Sequence, residues 1–325
     1  MILINVLILV FFSFVLIKSA DHVVVALRRI ARHSKVGLYA ISAIILALGT
    51  SFPELSVSLT SALEGSSEIS LGVILGSNIA NIALIGSLAC LISGRVLIHD
   101  GEYLHKDYWL AVGAGVLPVI LAFDRSLNRV DGLILLSVYA AYASSLFKIR
   151  FFEIAQREIK AEKFFHRFFR EIEHVESLIT KEYGRFFIAL AVMLFSADAL
   201  VKSGKNLAEN LNIPVFLIAL VVISIGTSFP ELAFSLRSLK DHEPRMFFGN
   251  LLGSTIVNST LIVGVATVIN PVENIPLNKY YISGVFFLLV YLIFYKFIRS
   301  KFRFERKEAL ILILIYILFV VVEFL

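Results

Sequence analysis

The heptapeptide Gly-Thr-Ser-Phe-Pro-Glu-Leu occurs twice in this chain, at 49–55 and at 226–232, each time inside an apolar run long enough to cross a bilayer. A proline frees a backbone carbonyl and a glutamate carries charge, so both are costly within a hydrophobic helix. Because the same costly pair recurs at matched positions of two such segments, the sequence predicts a two-fold ion site inside a membrane.

The match extends well beyond these seven residues. A shift of 177 residues superposes Glu54 on Glu231 without a gap. The repeat covers roughly residues 19–92 and 196–269, and the same shift pairs Asp21 with Asp198, Gly72 with Gly249, Gly76 with Gly253, Ser77 with Ser254 and Asn81 with Asn258. A register held over this length without a gap indicates internal duplication.

The composition places the repeat in a membrane protein. Apolar residues make up 58% of the 325 positions and charged residues 17%, against about 25% charged in soluble domains. Ten segments have the length of a spanning helix. They lie at about 2–27, 37–63, 69–93, 107–123, 130–148, 183–204, 213–236, 246–269, 280–298 and 307–324.

Five spanning helices per half is an odd number, so the second half enters the membrane from the opposite face. The predicted fold is therefore an all-α polytopic membrane protein with ten transmembrane helices in two inverted five-helix repeats. The first half is 1–148, a cytoplasmic connecting loop is 149–182, and the second half is 183–325. Inverted repeats with interrupted helices are typical of secondary transporters.

The distribution of Lys and Arg predicts the orientation, because basic residues mark cytoplasmic loops. They concentrate after the first, third, fifth, seventh and ninth segments, which puts both termini outside. The net charge of +5 is thus a topology signal, and no nucleic-acid partner is expected. The connecting loop carries Phe164, Phe165, Phe168 and Phe169 at helix-like spacing. It is either an interfacial amphipathic helix or a solvated connector.

The residues around the heptapeptides supply oxygen ligands. Pro53 and Pro230 each lack the N–H that would bind the carbonyl four residues earlier, so each helix is opened just before its glutamate. Positions four apart share a helix face, which puts Thr50 beside Glu54 and Thr227 beside Glu231. A set of carboxylate, hydroxyl, amide and carbonyl oxygens suits hard cations such as Ca²⁺. Two bidentate glutamates and two threonine carbonyls supply six ligands, and the remaining oxygens can hold smaller monovalent ions.

The charge of this site restricts its occupants. Two ionised glutamates carry −2, which one Ca²⁺ neutralises, whereas an empty pair at close range repels. An unloaded carrier then resists crossing the membrane, which is a physical origin of obligatory exchange. Na⁺ and protons both remain possible countercharges at this point.

The two repeats closely resemble the α-repeats of the calcium/cation antiporter superfamily, in particular its sodium/calcium exchanger branch. The resemblance rests on the heptapeptides together with the segments Gly76-Ser-Asn-Ile-Ala-Asn81 and Gly253-Ser-Thr-Ile-Val-Asn258. It implies a Ca²⁺ site formed by Thr50, Glu54, Thr227 and Glu231. It also implies Na⁺ ligands at Ala47, Ser51, Ser77, Asn81, Ser224, Ser228, Ser254 and Asn258, with Ala47 and Ser224 contributing carbonyls. The resemblance favours Na⁺ as the coupled ion and a prokaryotic plasma membrane as the location.

These observations predict an antiporter that exchanges Ca²⁺ for Na⁺ by alternating access. The alternatives are a Ca²⁺/H⁺ exchanger and an exchanger of another divalent cation. An enzyme is not expected, because the sequence has no His-Glu-x-x-His or Gly-x-Ser-x-Gly motif, and a channel would not need so many ligands. No cofactor and no obligatory protein partner are expected beyond the transported Ca²⁺ and Na⁺ and the lipid bilayer.

Overall fold

A computed structural model describes most of the chain. The described residues are 2–33, 49–94, 96–97, 101–155, 177–273, 275–301 and 303–325. Three sequence predictions fall outside these ranges, namely the Ala47 carbonyl, the first part of the second spanning segment and the phenylalanines of the connecting loop. Within the described ranges the chain is almost entirely helical, which confirms the predicted all-α fold.

The first half contains six α-helices and one short strand in its described part. The elements are α1 (Ile2–His33), α2 (Phe52–Leu63), α3 (Ser67–Ala80), a π-helical segment (Asn81–Gly86), α4 (Ser87–Ser93), β1 (Val96–Leu97), α5 (Gly101–Leu121), a 3₁₀ turn (Ala122–Asp124) and α6 (Arg129–Ala155). α6 extends beyond residue 148, so the start of the predicted connecting loop is helical.

The second half repeats much of this order. Its elements are α7 (Ser177–Leu211), α8 (Val215–Ile218), a π-helical segment (Ala219–Ile223), α9 (Ser224–Thr227), α10 (Phe229–Lys240), α11 (Pro244–Ile256), a π-helical segment (Val257–Ile262), α12 (Val263–Ile269), α13 (Leu277–Lys301), β2 (Arg303–Phe304) and α14 (Arg306–Phe324). α7 begins at Ser177, so the end of the predicted connecting loop is helical as well.

Seven helical stretches of the described chain are long and apolar enough to cross a membrane. They are Ile2–Ala26, Ser67–Ser93, His105–Asp124, Tyr183–Leu211, Val215–Lys240, Pro244–Ile269 and Leu277–Arg299. Helices α6 and α14 occupy the predicted fifth and tenth segments, and the second segment is described only from Gly49 onward. The count of ten spanning helices and the inverted arrangement therefore stay predictions.

Both heptapeptides break the helix in the same way. Ser51 has φ −88° and ψ 5°, and Ser228 has φ −86° and ψ 5°, so both serines depart from helical geometry in the same way. α2 and α10 then begin one residue later. Each proline is the second residue of its new helix, where a missing N–H costs no intrahelical hydrogen bond. The break thus accommodates the proline at the start of each new helix.

Packing separates a buried centre from an exposed pair of helices. α1 and α7 lie along each other, and many apolar side chains of α1 are exposed, such as Leu3 at 71%. α3 and its π-helical continuation are almost wholly buried. A Cβ atom built on Gly72 would lie 2.6 Å from the Phe216 carbonyl oxygen, so glycine permits the close approach of α3 to α8.

Two short β contacts join the halves. Val96 pairs with Phe304 and Leu97 with Arg303 in the antiparallel β1–β2 ladder. A second antiparallel bridge joins Leu127 to Val272, with N–H to carbonyl distances of 2.8 and 3.0 Å. Leu127 and Phe304 are related by the same 177-residue shift as the heptapeptides. Equivalent loops of the two halves therefore make a contact of the same kind.

Candidate ion-binding site

The structure brings the two heptapeptides together at the centre of the molecule. Glu54 and Glu231 are both fully buried. The Ser77 hydroxyl oxygen lies 3.5 Å from Glu54 Oε1 of its own half and 3.5 Å from Thr227 Oγ1 of the other half. The glutamate of one half thus shares a serine with the threonine of the other.

The side chains of Glu54 and Glu231 lie near enough to each other to interact electrostatically. Glu54 lies beside the side chains of Thr227 and Ser228, and Glu231 lies beside the side chain of Thr50, so each acid faces the heptapeptide of the opposite half. When both groups are ionised, a convergent pair of buried carboxylates carries −2 in a region of low dielectric constant. Such a pair requires a countercharge.

Several oxygens of this cluster have no hydrogen-bond partner within the described chain. They are Glu54 Oε2, both carboxylate oxygens of Glu231, and the hydroxyls of Ser51 and Ser228. Leaving a buried oxygen unpaired costs about 1–3 kcal/mol, and more for a charged group. Five such atoms on two equivalent segments are the pattern expected of cation ligands, whose lone pairs point at the ion.

The two asparagines of the predicted Na⁺ set present their amide oxygens in the same way. Asn81 Nδ2 donates to Ser254 Oγ at 3.1 Å, and Asn258 Nδ2 donates to Asn78 Oδ1 at 3.2 Å. The Oδ1 atoms of Asn81 and Asn258 are buried and accept no hydrogen bond from any described group. Each amide is therefore anchored by its nitrogen and leaves its oxygen for a ligand.

The asparagines lie at irregularities of their helices. One π-helical segment begins at Asn81, and another begins one residue before Asn258. π-helical turns are frequent at functional sites, because they widen the helix and redirect side chains and carbonyls. Their recurrence at equivalent positions extends the two-fold pattern from the heptapeptides to the neighbouring helices.

One predicted backbone ligand is engaged by the protein itself. The Ser224 carbonyl accepts hydrogen bonds from the Ser228 N–H and from the Thr227 hydroxyl, both at 3.1 Å. Cation binding by this carbonyl would need one of these bonds to open. The role of Ser224 stays a prediction, as does that of its repeat counterpart Ala47, which lies outside the described residues.

Three polar residues of the site were missed by the sequence analysis. Asn78 donates to Ser259 Oγ at 2.7 Å and accepts from Asn258, and Asn250 accepts a hydrogen bond of 3.1 Å from the Thr50 hydroxyl. The 177-residue shift pairs Asn78, Ser259 and Asn250 with Thr255, Ile82 and Val73, so a search for repeated residues passes over them. The available signal was a polar side chain inside an otherwise apolar helix.

The donor set resembles that of a site for hard cations. Across the described ranges, no group of three or more His, Cys, Asp or Glu side chains could hold a metal ion. The cluster contains two carboxylates, and its other donors are neutral hydroxyl and amide oxygens. This chemistry suits Ca²⁺ or Na⁺, which prefer oxygen ligands, and disfavours metals that prefer nitrogen or sulfur.

The fold and this site define a polytopic membrane protein with an acidic, oxygen-lined centre shared by two halves. The chain belongs to the sodium/calcium exchanger protein family, whose family model matches residues 4–148 and 181–325. This membership confirms the resemblance drawn from the repeated motifs.

Individual relatives agree with the family. The sodium/calcium exchanger MaX1 of Methanosarcina acetivorans is 27% identical, over 100% of this chain and 99% of its own length. The inner membrane protein YrbG of Escherichia coli is 30% identical, over 80% of this chain and 78% of its own length. A solved structure of the sodium-calcium exchanger NCX_Mj, soaked with Na⁺ and Ca²⁺, superposes with a TM-score of 0.60 at 23% identity, over 98% of both chains. The chain thus shares the fold of NCX_Mj.

Proposed function

We propose that this protein is a secondary antiporter that exchanges Ca²⁺ for Na⁺ across the plasma membrane of a prokaryote by alternating access. Its membership of the sodium/calcium exchanger family supports cation exchange that includes Ca²⁺. The observation that carries the proposal is the convergence of Glu54 and Glu231, two buried acids from equivalent positions of the two halves with three unpartnered carboxylate oxygens between them in the described chain.

We assign the Ca²⁺ ligands to the heptapeptides. Thr50, Glu54, Thr227 and Glu231 would hold the ion, with carboxylate oxygens from both acids and carbonyls freed by the helix breaks. One Ca²⁺ matches the charge of −2, and its preference for about 6–8 oxygens fits two bidentate carboxylates with additional neutral donors.

Na⁺ would use the neutral oxygens around the same acids. The proposed ligands are Ala47, Ser51, Ser77, Asn81, Ser224, Ser228, Ser254 and Asn258. The unpartnered oxygens of Ser51, Asn81, Ser228 and Asn258 support this assignment. Because Ser77 contacts Glu54 directly, Na⁺ and Ca²⁺ would compete for overlapping ligands.

Alternating access follows from the proposed architecture. Ten helices in two inverted repeats would give each half the same local structure on opposite sides of the site, with both termini outside. The matched helix breaks at Ser51 and Ser228 support this arrangement. A cycle without bound ions would enclose two repelling carboxylates in a low-dielectric region. The protein would therefore switch the site from one face of the membrane to the other only when ions are bound.

Transport by the purified protein in proteoliposomes tests this function. An imposed Na⁺ gradient should drive Ca²⁺ uptake when the pH is clamped on both sides, and the uptake should stop when a sodium ionophore collapses the gradient. The Glu54→Gln variant, reconstituted at equal density, is the matched control for leakage. Uptake that ignores Na⁺ but follows a proton gradient would replace the proposal with a Ca²⁺/H⁺ exchanger.

A further inference from the structure

Two serines beyond the assigned site repeat its pattern of unpartnered oxygens. Ser58 and Ser235 follow Glu54 and Glu231 by four residues, and the 177-residue shift pairs them with each other. Both side chains are buried, and neither hydroxyl has a hydrogen-bond partner in the described structure. An unpaired buried hydroxyl at equivalent places in both halves is a second two-fold feature of the molecule.

Neighbouring serines on the same helices behave differently. Ser56 donates to the Phe52 carbonyl at 2.8 Å, Ser61 to the Ser58 carbonyl at 2.9 Å, and Ser238 to the Phe234 carbonyl at 2.9 Å. A serine in a helix ordinarily satisfies its hydroxyl with such a bond to the preceding turn. Since α2 and α10 both permit that bond, the hydroxyls of Ser58 and Ser235 are held in a different direction.

The spacing places each hydroxyl next to a carboxylate along the helix. Residues four apart lie on one face of an α-helix, separated by about one turn or 5.4 Å. Ser58 is therefore one turn beyond Glu54 on the same face of α2, and Ser235 is one turn beyond Glu231 on the same face of α10. In the predicted inverted arrangement, Ser58 lies toward the outer face and Ser235 toward the inner face.

We propose that Ser58 and Ser235 are further cation ligands, each of which receives the ion as it passes between the glutamates and one face of the membrane. This inference rests on the proposed exchange function. A hydroxyl oxygen one turn from the carboxylate replaces a water molecule of the ion's hydration shell before the carboxylate is reached. Two such oxygens, one in each half, serve the two directions of the transport cycle.

The surroundings of the two serines differ. α3 and α12, which both pack against α2, carry two further buried hydroxyls without a partner in the described chain, those of Ser70 and Thr267. Their repeat counterparts are Phe247 and Cys90, which have no hydroxyl. The helices packed against α2 thus carry two unpartnered hydroxyls that the second half does not repeat. Because Ser58 has more hydroxyl-bearing neighbouring helices than Ser235, removal of the Ser235 hydroxyl should have the larger effect.

Alanine variants test the proposal by transport. Ser58→Ala and Ser235→Ala should weaken the apparent affinity for Na⁺ or Ca²⁺ on one face by about 3- to 10-fold, the range expected for loss of one polar contact. Ser61→Ala and Ser238→Ala are matched controls, because these serines are also repeat counterparts but bond their own helix backbone. The controls should retain wild-type affinities.

The outcomes separate this inference from the proposed function. If the wild-type protein exchanges Na⁺ for Ca²⁺ while Ser58→Ala and Ser235→Ala match their controls, the two hydroxyls are not ligands. If the wild-type protein shows no Na⁺-dependent Ca²⁺ uptake, the exchange function itself fails. Side-specific measurement in oriented vesicles assigns each affinity change to one face.

Thiol accessibility gives a readout that does not depend on transport rate. Cys90 is the only cysteine of the chain, so Ser58→Cys and Ser235→Cys can be placed in a Cys90→Ala background. A small cationic thiol reagent should modify the Ser58→Cys variant from one face and the Ser235→Cys variant from the other, and Na⁺ or Ca²⁺ should slow both reactions. Thiols that react from neither face, or at rates that the cations leave unchanged, would overturn the proposal.

Discussion

Ser77 Oγ lies 3.5 Å from Thr227 Oγ1, although 150 residues separate the two in the chain. The same hydroxyl lies 3.5 Å from Glu54 Oε1. One serine of the first half therefore touches an acid of its own half and a heptapeptide residue of the other. A site shared in this way predicts that damage to either half disables one common centre.

Neutralising either acid should abolish exchange. Glu54→Gln and Glu231→Gln each leave a charge of −1, which cannot balance a divalent cation in a buried site. Na⁺-driven Ca²⁺ uptake should fall to the level of empty liposomes for both variants. Size-exclusion profiles should stay normal, because glutamine keeps the shape of glutamate and removes the repulsion between the two acids.

A matched control lies at the other end of the same helix. Glu64 caps α2 and pairs with Lys202 at 3.4 Å and Lys205 at 3.2 Å, so it is an acid of the same segment outside the proposed site. Glu64→Gln should retain exchange, since partly exposed ion pairs contribute little. Normal transport by Glu54→Gln or Glu231→Gln would contradict the assignment of the site.

Calcium should stabilise the folded protein through these acids. A ligand at 100 times its Kd stabilises the native state by about 2.7 kcal/mol, so saturating Ca²⁺ should raise the thermal unfolding temperature in detergent. Addition of a chelator should reverse the shift. The Glu54→Gln protein should show no shift at the same Ca²⁺ concentration. An equal shift in both proteins would place the stabilising ion elsewhere.

Asn78 should act as a positioning residue for Na⁺ binding. Its amide oxygen accepts a hydrogen bond from Asn258 and its amide nitrogen donates one to Ser259. These bonds fix the orientation in which Asn258 Oδ1 has no partner within the described chain. Asn78→Ala should weaken the apparent Na⁺ affinity by about 5- to 10-fold, the loss expected for about one hydrogen bond. The effect on Ca²⁺ affinity should be smaller, because neither carboxylate contacts Asn78 among the described hydrogen bonds.

The control for Asn78 is a buried serine of the following helix. Ser87 donates to the Ile82 carbonyl at 3.1 Å and makes no described hydrogen bond to the amide pair. Ser87→Ala should leave the Na⁺ affinity unchanged. If Asn78→Ala weakened the apparent affinities for Na⁺ and Ca²⁺ equally, the result would indicate a general packing defect and would contradict a positioning role for Asn78.

Close packing of α3 should make one glycine sensitive to a single methyl group. A Cβ at Gly72 would lie 2.6 Å from the Phe216 carbonyl oxygen and 2.8 Å from Ala219 Cβ. Gly72→Ala should therefore lower the free energy of unfolding by about 1–3 kcal/mol. At Gly113, no described atom beyond its own helix lies within 4 Å of the new methyl. Gly113→Ala should gain stability through helix propensity. The thermal unfolding temperatures of the two variants test this prediction. Equal shifts for Gly72→Ala and Gly113→Ala would contradict the close packing of α3 against α8.

The repeated residues of the site could be predicted because each is energetically unfavourable in an apolar helix and because each occurs at the same position in both repeats. Glu54 and Pro53 are expensive in an apolar helix, and their recurrence at Glu231 and Pro230 pointed to one shared centre. The helix breaks followed from proline chemistry. The location of the break one residue before each new helix, which puts the proline in the first turn, required the three-dimensional structure.

The rest of the site depends on contacts made by residues that differ between the two halves. Asn250 binds Thr50 and corresponds to Val73, so no comparison of the two halves selects it. Asn78 lies inside the recognised motif, yet its counterpart Thr255 contacts Tyr291 and has a different environment. Pairwise contacts between distant segments decide these roles, and hydrophobic periodicity contains no information about them.

The most direct test of the central claim is the position of the bound ion. Crystals of the protein grown with Ca²⁺ should show an anomalous peak between the carboxylates of Glu54 and Glu231, at about 2.3–2.6 Å from oxygens of both. The peak should disappear in Glu231→Gln crystals prepared under identical conditions. A Ca²⁺ peak bound elsewhere, or one that contacts only a single glutamate, would contradict a shared site between the two halves.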